Sequence, residues 1–80
     1  MPTELHTAFA TTLRRLRQER SMTQEDLAFE SGVGRVSIAK METAKRLPSL
    51  PTLFELARAL DIPPGEIVSA LSAEARSTGE

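Results

Sequence analysis

Residues 23–42 read TQEDLAFESGVGRVSIAKME, two short helical patterns hinged on a glycine. Thr23 with Asp26 three positions on is close to the Ser/Thr-x-x-Glu capping box, and Glu25 and Asp26 complement the positive end of a helix that starts there. Leu27 and Ala28 supply the buried side of this second helix. Gly32 can take the left-handed conformation that closes it. Gly34 is a tolerable N-cap for a third helix, although a hydroxyl or amide side chain would cap better. In that third helix Ile38 and Met41 fall inward and Val33 plugs the turn. Arg35, Val36, Ser37 and Lys40 are left facing outward.

The flanks extend the same pattern. Leu5, Phe9, Leu13 and Leu16 recur at spacings of four, four and three, which places them on one stripe of a first helix from about Glu4 to Glu19, with Arg14, Arg15 and Gln18 on its outer face. AKRLPS reads as a loop. Ser49 caps a fourth helix whose first turn tolerates Pro51, and Leu53, Leu56, Ala57 and Leu60 form its buried stripe. DIPPGE breaks that helix, and Pro64 starts a fifth in which Ile67, Val68 and Leu71 recur at helical spacing. The small, polar AEARSTGE reads as a flexible tail. The expected organisation is one domain over residues 1–71 with a tail over 72–80.

Phenylalanine, at three copies, is the only aromatic type, and the β-branched residues are scattered singly, so no segment reads as a strand. The fold class is therefore all-α, a compact domain of five helices. Eighty residues allow one such domain, near the lower size at which an unassisted core holds, so burial against a partner is plausible and a large enzyme cleft is not. The absence of cysteine removes disulfides, thiolate chemistry and cysteine zinc sites, and is compatible with a reducing cytoplasm. No apolar run approaches the roughly 20 residues needed to span a bilayer. The N-terminus has no basic stretch followed by an apolar one, so no secretory signal is read and a cytoplasmic protein is expected.

The net charge of −1 argues against a protein that coats phosphates without selectivity. Its distribution says more. Between Arg14 and Arg46 stand eight basic residues against five acidic ones, whereas from Glu55 onward Arg58 and Arg76 face five acids. A face for a polyanion would belong to the first sixty per cent of the chain.

Catalytic and ligand chemistry find little support. His6 is alone, and a metal needs several converging ligands. Glu25 and Asp26 are adjacent on a helix and point apart, which suits capping better than acid–base work. One histidine and no cysteine cannot assemble a nucleophilic triad. The glycines of SGVGR follow no strand and precede no Lys-Ser/Thr, so they are not a phosphate loop. No enzyme activity, cofactor or small-molecule ligand is expected.

Two short helices about three residues apart, with glycine at the turn and a basic start to the second, form the pattern of a helix-turn-helix. A major groove about 12 Å wide admits one α-helix, and the preceding helix braces it across the phosphates. Arg35 offers a planar fork suited to guanine O6 and N7, Val36 can pack on a thymine methyl, and Lys40 lies on the same face as Val36. Ser37 can donate to either kind of base. Lys45 and Arg46, in the following loop, are placed for phosphate.

The segment LRRLRQERSMTQEDLAFESGVGRVSIAKMETAKRLPSLPTLFELARALDI is similar to the phage-repressor (Cro/C1, xenobiotic-response-element) helix-turn-helix family, also called lambda-repressor-like. The likeness covers about residues 9–68. It rests on LRRLRQER, TQEDLA, the Gly32 turn, Ile38, Glu42, PSL and LARAL in that order and spacing. This chain departs from the family pattern at Gly34, where Ser or Thr is usual, and at Ala44, where Gly is usual. The first gives a weaker cap.

The resemblance implies a transcriptional regulator, acting as repressor or activator, that binds an operator as a homodimer. It implies that Gln24 contacts phosphate and orients the recognition helix, and that Arg17 pairs with Glu42. For the dimer face, Phe54, Ile67, Val68 and Leu71 are the candidates, because a short terminal helix with three apolar residues in five tends to leave some to a partner. Contact with RNA polymerase is equally allowed. The rival reading is a protein-interaction module on the same scaffold, consistent with a sequence pI of about 5.8. The cationic set Arg35, Lys40, Lys45 and Arg46 argues against it.

Overall fold

The structure, a computed structural model, describes residues 3–78. Five helices follow one another: α1 (Glu4–Glu19), α2 (Gln24–Ser31), α3 (Arg35–Glu42), α4 (Leu50–Ala59) and α5 (Pro64–Thr78).

Three of the five helices start on a side-chain cap. Thr23 Oγ1 accepts the Asp26 amide at 2.9 Å while the Asp26 carboxylate accepts the Thr23 amide at 2.9 Å, a reciprocal capping box. Hydrogen bonding of the carboxylate to Thr23, to its backbone amide above all and then to its side chain, holds the Asp26 carboxyl below the usual carboxylate range. Ser49 Oγ accepts the Thr52 amide at the head of α4, with proline inside the first turn. At α1 the box is made by Thr3 and His6, whose Nδ1 takes the place usually filled by an acidic or amide side chain. His6 is thus a capping residue, a role its isolation in sequence did not suggest. Gly34 provides no side-chain cap for α3.

The helix ends share a device. After α1, α3 and α4 the residues Ser21, Ala44 and Asp61 adopt left-handed φ of 55°, 63° and 60°. In each case the next amide reaches back to a carbonyl five residues earlier: Met22 to Arg17 at 3.1 Å, Lys45 to Lys40 at 2.9 Å, and Ile62 to Ala57 at 3.0 Å. These are Schellman closures with a side chain where glycine is preferred. Ala44 therefore replaces the family's glycine by accepting the same strained conformation, whose cost for an L-residue is roughly 1–2 kcal/mol. Gly32 ends α2 at φ 76°.

Phe9, Leu13 and Leu16 of α1, Leu27 of α2, Ile38 and Met41 of α3, Leu56, Ala57 and Leu60 of α4 and Ile67 of α5 form one core. Two readings are corrected here. Leu5, expected on the buried stripe, is 45% exposed in the first turn of α1, and the small residues Ala8, Ala10 and Thr12 bury instead. Ile67, proposed for a dimer face, is 1% exposed inside the monomer's own core and is not available to a partner. Its neighbour Val68, about 100° further round the helix, is the exposed one. The Thr12 hydroxyl is buried with no hydrogen-bond partner, an unfavourable place for a polar atom.

The polar segment after Leu71 also differs from expectation. Helix α5 continues to Thr78, in keeping with the helix formers Ala70, Leu71, Ala73, Glu74 and Ala75 that fill its second half. The last residues of the proposed tail, 79–80, lie outside the described residues.

Candidate nucleic-acid interface

Helix α3 is anchored by three buried residues and turns three others to solvent. Ile38, Met41 and Glu42 are buried. Arg35, Val36 and Lys40 are exposed on the opposite side, Val36 at 65%. Ala39, half-buried, sits between Arg35 and Lys40 on the wheel, a small side chain that lets another surface approach the helix closely. Thr43 closes the same face, and its hydroxyl donates to the Ala39 and Lys40 carbonyls at 2.9 and 3.2 Å. Neither Ala39 nor Thr43 carries a charge or a motif, which is why sequence reasoning passed over them.

The tilt of α3 is fixed by a buried carboxylate. Glu42, 2% exposed, accepts from Arg17 Nε at 2.7 Å and Arg17 Nη2 at 2.9 Å, a two-pronged pair. The remaining Arg17 nitrogen donates to the Met22 carbonyl at 2.7 Å, so a single guanidinium joins α1, the turn before α2, and α3. The hydrogen bond to Glu42 raises the pKa of Arg17, against the opposing effect of burial.

Two further groups converge on Glu42. Gln24 Nε2 donates to Oε1 at 3.2 Å, and Arg14, half-exposed on α1, donates Nη2 to the Glu42 backbone carbonyl at 2.7 Å. Gln24, at the first position of α2, is thereby oriented by the end of α3, with its second amide hydrogen left over. Arg14 was read only as part of an outer face. No spacing rule in sequence brings residue 14 to residue 42.

Lys45 and Arg46 follow α3 and are exposed. Arg46 is not a loose arm: its Nη1 donates to Ser37 Oγ at 2.8 Å. Ser37 is half-buried, so it does not stand with Arg35, Val36 and Lys40 on the open face. Arg20 lies away from this surface and donates to the Leu60 carbonyl at 2.6 Å, closing the end of α4 onto α1.

Of the residues proposed for a dimer face, Phe54 is 54% and Val68 47% exposed, while Leu71 is half-buried and packs against the core. Among the described residues no helix is long and apolar enough to cross a membrane.

The family profile described as Helix-turn-helix matches residues 13–67, from the middle of α1 into α5. The chain is 38% identical over 55 residues to the uncharacterized HTH-type transcriptional regulator y4dJ of Sinorhizobium fredii, covering 69% of this chain and 71% of that one. Another relative is longer: the chain spans 42% of the HTH-type transcriptional repressor RghR of Bacillus subtilis, at 44% identity. Among solved structures it is similar to the restriction-modification controller protein C.AhdI of Aeromonas hydrophila, with a TM-score of 0.75 and 40% identity over 78% of this chain and 94% of that one. It is also similar to the controller protein C.Esp1396I, solved as a tetramer with its natural 35-base-pair operator, with a TM-score of 0.80 and 27% identity over 89% and 93% of the two chains. The fold, the order of its motifs and a match over more than half its length agree: the chain belongs to the Cro/C1-type helix-turn-helix family of transcriptional regulators.

Proposed function

We propose that this chain is a sequence-specific DNA-binding regulator that lays α3 in the major groove of a pseudo-palindromic operator and acts as a homodimer. The observation that carries the reading is the division of α3: one side is anchored by Ile38, Met41 and the Glu42 hub, and the other presents Arg35, Val36 and Lys40 to solvent. An exposed valine between two cations has no structural duty in the monomer. Beside a thymine methyl and guanine acceptors it has one.

Affinity in this account comes largely from phosphate neutralisation by Lys45 and Arg46, with a hydrogen bond from the neutral amide of Gln24, and discrimination comes from Arg35, Val36 and Lys40. Gln24 is suited to a phosphate because Glu42 fixes its amide at the start of α2, where the positive helix end also favours an anion. Half-sites one turn, roughly 34 Å, apart follow from the geometry of helix-turn-helix dimers. The dimer face is assigned to the exposed Phe54 and Val68 with the edge of Leu71. Repression by occupying a promoter and activation by touching polymerase both fit this architecture. The operator complex solved for C.Esp1396I supports DNA as the partner class.

Selection from random oligonucleotides, followed by a salt titration on the enriched site, tests the reading. The expected result is a two-fold-symmetric motif and an affinity that falls steeply with salt. Failure to enrich any motif, with a shallow salt dependence, would favour a protein-interaction module instead.

A further inference from the structure

Ser37 differs from the residues beside it. It lies about 100° round the helix from Val36 and one turn before Met41, so it shares the row of a side chain that is 1% exposed. Its hydroxyl faces the loop, accepting Arg46 Nη1 at 2.8 Å. Ser37 and Arg46 line one small pocket of about 220 Å³ with Met41, Leu47, Ser49 and Thr52, between the flank of α3 and the start of α4. Among the described residues Arg46 forms no ion pair. Its charge is thus held against α3 by a neutral hydroxyl and is not cancelled there.

We propose that Ser37 is a positioning residue that acts on DNA through Arg46, fixing the guanidinium along the flank of α3 to meet a phosphate of the strand that borders the groove. The proposal rests on the DNA-binding reading above. An arginine fork has five N–H donors, and one directed at Ser37 leaves the others for the oxygens of a phosphate. A long side chain in a loop loses rotamer freedom when it binds, and a hydrogen bond that already selects its position reduces that loss. A hydroxyl suits the task because it accepts without carrying charge. A carboxylate at the same place would neutralise the guanidinium and repel the phosphate.

The test is a double-mutant cycle on the enriched operator and its single-base variants, with Ser37→Ala, Arg46→Ala, the double variant and Ser37→Thr. Arg46→Ala is expected to weaken all sequences alike and to lower the salt slope by about one unit. Ser37→Ala should also weaken all sequences alike, but in the Arg46→Ala background it should change Kd by less than about twofold. Ser37→Thr, which keeps the hydroxyl, should restore binding. The proposal is overturned if the two single effects multiply in the double variant, or if Ser37→Ala alters preference at one base pair irrespective of residue 46. In either case the parent still binds its operator with a steep salt dependence, which separates this failure from failure of the DNA-binding reading. A parent that binds no DNA overturns both.

Discussion

Replacing Glu42 by leucine removes the carboxylate on which α1, α2 and α3 converge. Arg17, whose side chain is 12% exposed, would keep its charge, lose two short hydrogen bonds and face a hydrocarbon. Breaking a buried pair from one side costs about 3–5 kcal/mol, because the remaining ion is left without compensation. A domain of 80 residues, at roughly 0.05–0.15 kcal/mol per residue, holds about 4–12 kcal/mol in all. Glu42→Leu should therefore consume a large share of the stability and lower Tm by at least about 12 °C, taking about 4 °C per kcal/mol for a domain of this size. Urea denaturation followed by circular dichroism measures the change. The double variant Arg17→Met with Glu42→Leu should recover much of it, since neither ion is then stranded. A Glu42→Leu domain within about 1 kcal/mol of the parent would refute the reasoning, as would a double variant no better than the worse single one.

Ala44→Gly should stabilise by up to about 1 kcal/mol, since relief of the left-handed strain at φ 63° exceeds the added freedom of the unfolded chain; urea midpoints at constant m check this. The Asp26 carboxyl is held below its ordinary value by Thr23, so its contribution is present above the unfolded pKa of about 3.9 and is lost as pH falls through the lower folded value. Asp26→Ala should accordingly flatten the acid limb of a stability–pH curve while leaving its shape above pH about 5 unchanged. Phe54→Glu with Val68→Glu should convert a sedimenting dimer to monomer without unfolding it, because both side chains are about half exposed in the monomer. Leu71→Glu is a poorer test, since Leu71 also packs on the core.

The architecture was legible where a local rule acts. Thr23 with Asp26, Ser49 with Pro51, and Gly32 each mark an element boundary through chemistry confined to a few residues. Periodicity was less decisive within α5: Ile67 and Val68 are adjacent and both apolar, and only the placement of α1 against α5 decides that Ile67 is core. The capping role of His6 was hidden because an imidazole nitrogen is an unusual partner for the backbone at that position. At the interface, the outward set Arg35, Val36 and Lys40 follows from helical spacing, but the links from Gln24 and Arg14 to Glu42 span 18 and 28 positions and exist only after folding. Ser37 is an intermediate case. Its position one turn before the buried Met41 already placed it on the flank of the helix, a signal outweighed by the hydrogen-bonding range of its hydroxyl.

The most direct measurement of the central claim is the affinity of Arg35→Ala for the enriched operator and for every single-base variant of it, set beside Lys45→Ala. The account predicts that Arg35→Ala loses discrimination at one base pair in each half-site, worth about 1–3 kcal/mol or roughly five- to 150-fold, and keeps it elsewhere. Lys45→Ala should weaken every sequence by a similar factor. Uniform weakening by Arg35→Ala, or none, would contradict the assignment of α3 as the helix that reads the bases.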